Sequence, residues 1–317
     1  MKTISEIKNN SIKKDFIVNK LIKSGGLYCL LARPKVGKSL FGLQLANSIA
    51  TGTTFLGFET NPSPVLYIST EMDSSQLFER IEIMNLDFND SNLFIKEQEA
   101  NSRKLNLMDL QLELKEFAEE HNGKFVIVDM MCGIDLNNGY DLNNYQDIGQ
   151  YVIPTFRELC RKYNFTILLI HHLNKNNTSL GSTAIDGSVD GKITLRLDNN
   201  IKNKVFLNYE SRDYEGLDLV LKRNDNLTFE LTEIEIDDLN SNLLLFLNYG
   251  IKNKEFTFTP SEITSKLNLN ITPSVFGKLL NNNIELLAKE GLHITQKRTP
   301  TERLYYARYE EPIEENW

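Results

Sequence analysis

The sequence predicts an α/β protein of two domains: a larger one on a mainly parallel sheet with an antiparallel extension, then a small C-terminal one. From Gly25 to His172, short β-type runs alternate with segments of helical period, the pattern of strands joined by crossover helices. After His172 the runs KITLRLD, KVFLNYE, LDLVLKR and LTFELTE follow one another without helices, which reads as an antiparallel extension of the same sheet. From Leu239 the pattern changes to closely spaced helices, and 317 residues suffice for one α/β core and a second small module.

Residues 1–24 form a Lys- and Asn-rich arm with a weak amphipathic pattern at Ile12, Phe16, Ile17 and Leu21, too short for a domain and expected to pack on a neighbour. The core, 25–237, opens with the strand GLYCLL, the helix KSLFGLQLANSIA and the strand VLYIS. The helices DSSQLFERIEIM and LMDLQLELKEFAEEH follow, then the strand FVIVD, the helix NYQDIGQYVIPTFRELCRKY and the strand TILLIHH. In 238–309 a helix over NSNLLLFLNYGI precedes a helix start at Thr259-Pro260-Ser261-Glu262 that runs to Leu267, and a third helix extends from about Pro273 to Lys289. Two strands, HITQK and RLYYARY, come next, separated by a polar turn. Three helices and a two-stranded wing predict a winged helix-turn-helix, with the segment from Pro273 in the recognition position. The last residues, 310–317, are acidic and end on the only Trp, Trp317, as a solvated or a partner-binding tail.

No apolar run approaches the roughly 20 residues that span a bilayer, and MKTISEIKNNSIKKDFIVNK carries no secretory or lipidation signal, so a cytoplasmic protein is expected. Cys29, Cys132 and Cys160 are scattered, which offers neither a disulfide framework nor a CxxC metal site. A net charge of -8 argues against coating nucleic acid through bulk charge, though it leaves room for local basic surfaces.

The apolar strand Leu27 to Leu31 runs directly into Ala32-Arg33-Pro34-Lys35-Val36-Gly37-Lys38-Ser39-Leu40, which opens a helix. This is a Walker A loop in its required setting, with Ala32 where a first Gly is usual. Such a loop wraps a phosphate in backbone N–H groups while Gly37 permits close approach and the helix N-terminus adds a favourable dipole. Lys38 is expected to reach the β- and γ-phosphates of ATP, and Ser39 to supply a hydroxyl to Mg²⁺, with Arg33 and Lys35 beside the phosphates. Asp129 ends FVIVD and fits a Walker B role in holding the metal shell, although a strand-end Asp alone also forms turns. Glu71 follows VLYIST at the same sheet edge and is the candidate general base; the alternative is a surface carboxylate. His171 and His172 are consecutive strand residues that face opposite sides, so they are poorly placed to chelate one metal, and one of them is expected to face the nucleotide.

Together LLARPKVGKSLFGLQLA, VLYISTEM, FVIVDM, TILLIHHLNK and LGSTAIDGS resemble the RecA-like ATPases typified by hexameric RepA-type replicative helicases, over roughly residues 20–230. The resemblance implies that Glu71 is the catalytic base and that His172 senses the γ-phosphate. It also implies a hexamer in which an arginine finger reaches the neighbour's site, and NYESRDYEG offers Arg212. Related ring helicases carry a Lys two residues earlier, whereas Glu210 stands here, and Arg212 could instead pair locally with Asp213 or Glu215. The family binds single-stranded DNA through loops corresponding to about 130–143 and 173–190, with Lys175 and Lys192 as the available cations. These loops are rich in Asn, Gly and Ser, so backbone amides would make much of the phosphate contact; two surface loops are the alternative.

The C-terminal module is basic within an acidic chain. Lys297, Arg298 and Arg303 surround the wing turn, and Ser274, Lys278 and Asn281 recur on one face of the third helix, so the module is expected to bind duplex DNA, with plain protein docking as the alternative. The leading expectation is an ATP-dependent DNA helicase or translocase of a plasmid, phage or mobile-element replication system, with possible replication partners. The alternatives are an ATP-controlled DNA-binding initiator or regulator, and a small-molecule kinase.

Overall fold

The structure, a computed structural model, describes residues 3–6, 14–87, 92–97, 105–135, 140, 144–173, 184–198, 201–232, 241–269, 271–298 and 303–311. It divides into two compact units, 1–232 and 233–317.

The first unit opens with a short hairpin of β1 (Phe16–Val18) and β2 (Ile22–Lys23), whose Ile17, Val18, Leu21 and Ile22 are buried in the main core. Part of the expected N-terminal arm is thus built into its own domain, because these apolar side chains find cover there. β3 (Leu27–Ala32) leads through the phosphate loop into α1 (Lys38–Thr51). β4 (Val65–Ser69), α2 (Ser74–Met84), β5 (Leu93–Glu97), α3 (Leu107–Glu120) and β6 (Phe125–Asp129) follow. A helical turn at Tyr145–Asp147 and a π-turn at Ile148–Val152 run into α4 (Ile153–Tyr163), then β7 (Thr166–His172), α5 (Ala184–Ser188) and β8 (Gly191–Leu197). The unit ends with β9 (Lys204–Ser211), β10 (Leu217–Arg223) and β11 (Phe229–Leu231). The expected single helix over 144–163 is therefore interrupted by a π-turn just before Pro154, which has no N–H to give to an α-helical ladder.

All nine strands from β3 to β11 share one sheet, in the order β11-β10-β9-β8-β3-β7-β6-β4-β5. β8 runs parallel to β3 and the antiparallel pairings are only β8–β9, β9–β10 and β10–β11, so KITLRLD closes the parallel part of the sheet and the expected antiparallel extension starts from its outer side. The connection from β7 to β8 is long enough for a crossover, as a parallel return requires. β5 was not anticipated; LFIKE is short and lies at the sheet edge, paired on one side with β4.

Strand alternation sorts the core into two layers. Leu30, Ile127, Leu168 and Ile170 face α1, with Phe41, Leu45 and Ile49, whereas Cys29, Leu31, Val128 and Leu169 face α3 and α4 through Leu114 and Phe156. Cys160 lies in the second layer, and burial pushes its thiol up to about 12, so it stays protonated as a packing group.

In the second unit α6 (Ser241–Asn253), β12 (Glu255–Phe258), α7 (Pro260–Lys266), α8 (Pro273–Asn281), α9 (Ile284–Lys289), β13 (Leu292–Arg298) and β14 (Arg303–Tyr309) surround Phe246, Phe258, Phe276 and Tyr305. A capping box at Thr259 and Glu262, with Pro260 in the first turn, starts α7. The sheet has three strands, in the order β12-β14-β13, rather than the two expected. The expected third helix breaks after Asn281, where Asn282 and Asn283 separate α8 from α9.

Candidate nucleotide site

The site forms at the C-terminal edge of the parallel strands, where β3 feeds α1. Ala32 ends β3, and its carbonyl accepts from the Leu173 amide at 3.0 Å, so the first loop position is extended backbone. Gly37, at φ 106°, makes the left-handed turn that starts the helix; Lys35, at φ 67°, adopts the same region with a side chain. Arg33, Pro34 and Lys35 are exposed, whereas Val36 and Leu40 are buried and anchor the loop.

Lys38 is only 6% exposed. Its Nζ lies 3.4 Å from the Arg33 carbonyl and 3.1 Å from His172 Nδ1. An ammonium has no lone pair to accept with, so Nδ1 must accept and His172 is neutral, with its proton on Nε2. Burial, and then the Lys38 charge, lower the His172 pKa, in keeping with that tautomer. Burial also lowers the Lys38 pKa, against the partial relief of Asp129 and Glu71. His171, on the opposite face of β7, is buried.

Asp129, 1% exposed at the end of β6, accepts the Tyr67 hydroxyl at 2.5 Å through Oδ2 and lies beside the Ser39 hydroxyl. Burial raises its pKa, and Tyr67, Ser39 and Lys38 act in the opposite direction. Among the described residues its Oδ1 has no hydrogen-bond partner. A buried carboxylate oxygen left over beside a serine hydroxyl is the donor set a hard divalent cation takes, so the residues fit Mg²⁺. Tyr67 was missed in the sequence because VLYIS reads as plain core; the signal was a hydroxyl in a fully buried strand, which needs a partner.

Glu71 sits on the turn after β4, exposed, where Ser69 Oγ accepts the Met72 amide at 3.1 Å and donates to the Met72 carbonyl at 3.0 Å. Thr70 ties that turn to the end of β6: its amide donates to the Asp129 carbonyl at 2.7 Å, and its hydroxyl accepts from the Met130 amide at 2.8 Å. Glu71 is thereby held at the edge that carries Lys38 and Asp129, both of which feel its charge.

Arg212 follows β9, whose end pairs with the start of β8, so it lies at the N-terminal edge of the parallel strands, opposite the phosphate loop. Its guanidinium donates to the Gly187 carbonyl at the end of α5, in place of the local pairing with Asp213 or Glu215 left open by the sequence. Lys192, expected in a DNA loop, lies within β8 and pairs with Glu210 at 3.1 Å. Lys175 and most of 136–143 and 174–183 lie outside the described residues. Lys278 is exposed on α8; Lys297, Arg298 and Arg303 lie at the facing ends of β13 and β14, their side chains outside the described residues.

A phosphate loop on a mainly parallel sheet, with a buried lysine and a strand-end aspartate at one edge, defines a P-loop ATPase with a RecA-like core. The chain belongs to the AAA domain family, which matches residues 4–178. No curated protein matches it. Among solved structures it resembles a KaiC-like protein of Pyrococcus horikoshii OT3, at 12% identity and a TM-score of 0.50 over 70% of this chain and 100% of that one. It also resembles a DnaB-like replicative helicase described with its primase, at 14% identity and a TM-score of 0.56 over 72% of this chain and 65% of that one. At these identities the likeness is one of fold.

Proposed function

We propose that the protein is an ATP-driven DNA helicase or translocase of the RepA type, from a plasmid, phage or other mobile-element replication system, and that it works as a ring, expected to be a hexamer. The observation that carries this reading is the placement of Arg212. Five strand residues separate its edge of β3 from the phosphate loop, roughly 17 Å at strand rise, so any γ-phosphate it touches belongs to a neighbour.

In this reading Lys38 leaves His172 for the β- and γ-phosphates and places its charge where negative charge accumulates. His172, half-buried and neutral, is then positioned to donate or accept at the γ-phosphate. Glu71 orients the attacking water and takes its proton. Ser39 and Asp129 would hold Mg²⁺, which when bound neutralises charge across the phosphate oxygens. Single-stranded DNA lies against the loops near 130–143 and 173–190, and the C-terminal unit acts as a winged helix on duplex DNA or a replication partner, with Lys278, Lys297, Arg298 and Arg303 as its contacts. The helical order, with β13 and β14 as the wing, supports that assignment.

A second reading, an ATP-controlled DNA-binding initiator or regulator without unwinding, is favoured by one observation: Lys192 is engaged by Glu210 rather than presented to a strand of DNA. ATP hydrolysis measured with and without single-stranded DNA separates the two. Several-fold stimulation, lost in Lys38→Ala and Glu71→Gln, supports the motor; slow hydrolysis indifferent to DNA overturns it in favour of the regulator.

A further inference from the structure

The outward backbone of an edge strand ordinarily meets water or a second strand. β11 is an edge strand of this sheet, at the end opposite β5, and at Phe229 its outward groups are instead taken by one side chain of α1. Gln44 Nε2 donates to the Phe229 carbonyl at 2.8 Å, and the Phe229 amide donates to Gln44 Oε1 at 2.8 Å. A primary amide carries both the donor and the acceptor needed to return both bonds of a backbone unit. The pairing joins residues 185 positions apart and seats the buried Phe229 ring edge-on to Phe41, with centroids 5.6 Å apart. The same ring closes over Gly37: a Cβ there would meet Phe229 Cζ at 3.0 Å. Phe229 therefore backs the one residue of the phosphate loop that turns the chain into α1.

We propose that Gln44 is a positioning residue for nucleotide binding, which seats Phe229 on Gly37 and so couples the phosphate loop to β11. The inference rests on the ATPase reading of the site and not on the helicase reading. Gly37 has no side chain of its own to anchor it, so the left-handed turn of the loop is held from outside, by the ring. Phosphate entering the loop orders Gly37, and the ring and the amide pair pass that order to the strand that leads out of the first unit after Thr232.

The test uses the full chain, a fluorescent ATP analogue and amide hydrogen exchange. In Gln44→Met, which keeps length and removes both bonds, the analogue is expected to bind about tenfold more weakly, roughly the worth of one or two such hydrogen bonds. Nucleotide is expected to slow exchange at Phe229–Leu231 in the wild type and to leave it unchanged in the variant. Phe229→Leu, which keeps the backbone pair and withdraws the ring from Gly37, is expected to weaken binding several-fold and serves if the first variant does not fold. Binding within twofold of wild type in a folded variant, or β11 exchange indifferent to nucleotide in the wild type, overturns the proposal. A wild-type protein that binds no nucleotide overturns the ATPase reading and this inference together, whereas hydrolysis indifferent to DNA overturns only the motor.

Discussion

Asp129 and His172 stand a few side chains apart, and burial pushes both toward their neutral forms, with opposite consequences for pH dependence. Asp129 is raised above 3.8, so the folded state holds its proton more tightly than the unfolded chain. As pH rises through that window the fold loses stability, and near neutrality the carboxylate is a cost that a cation relieves. Asp129→Asn keeps the acceptor for Tyr67 and removes the charge; thermal melting should show the nucleotide-free protein stabilised by on the order of 1 kcal/mol, with metal-dependent hydrolysis down at least about 100-fold. Stabilisation by Mg²⁺ and nucleotide should be larger near neutral pH than in acidic buffer, because the metal needs the ionised carboxylate; an unchanged shift in melting temperature would count against Asp129 as a ligand. His172 is lowered from 6.5, so its contribution is present above that value and is lost as pH falls through the window below it.

At the scale of elements, the crossover into β8 is held by Asp190. Its Oδ2 accepts the Leu27 amide at 2.8 Å, and its carboxylate meets Arg157 of α4 at 3.1 Å, while Arg157 also donates to the Ser188 carbonyl. One carboxylate thus pins the start of β3, the end of α5 and a helix of the second core layer. Asp190→Ala leaves an amide and a guanidinium without it, and chemical denaturation should report a loss of about 2–3 kcal/mol. α5 also carries the Gly187 carbonyl that Arg212 occupies, so the element that closes the candidate DNA loop and the candidate finger share one anchor.

On the scale of the whole molecule, Arg212 lies at one sheet edge and the phosphate loop at the other, so the proposed finger role needs a second copy to complete each site. Arg212→Ala should leave affinity for the ATP analogue within about twofold and abolish hydrolysis in the assembled state. Wild-type specific activity should rise with protein concentration as assembly proceeds, and activity independent of concentration would mean each chain completes its own site.

The phosphate loop, the strand-end Asp129, the turn bearing Glu71 and the His172 position were legible because each is a local pattern, an apolar run delivering a polar residue to a strand end. The core of the second unit was legible for the same reason, from the apolar periodicity around Phe246 and Phe276 and the capping box at Thr259. What the tertiary structure decided is what depends on separation: the parallel direction of β8, the edge strand β5, the Tyr67 hydroxyl on Asp129, and the Gln44 amide on Phe229. Periodicity shows that a residue is buried and on which face of its own element. It carries no record of the partner met 62 or 185 residues away, because that choice belongs to the order in which the strands close into a sheet.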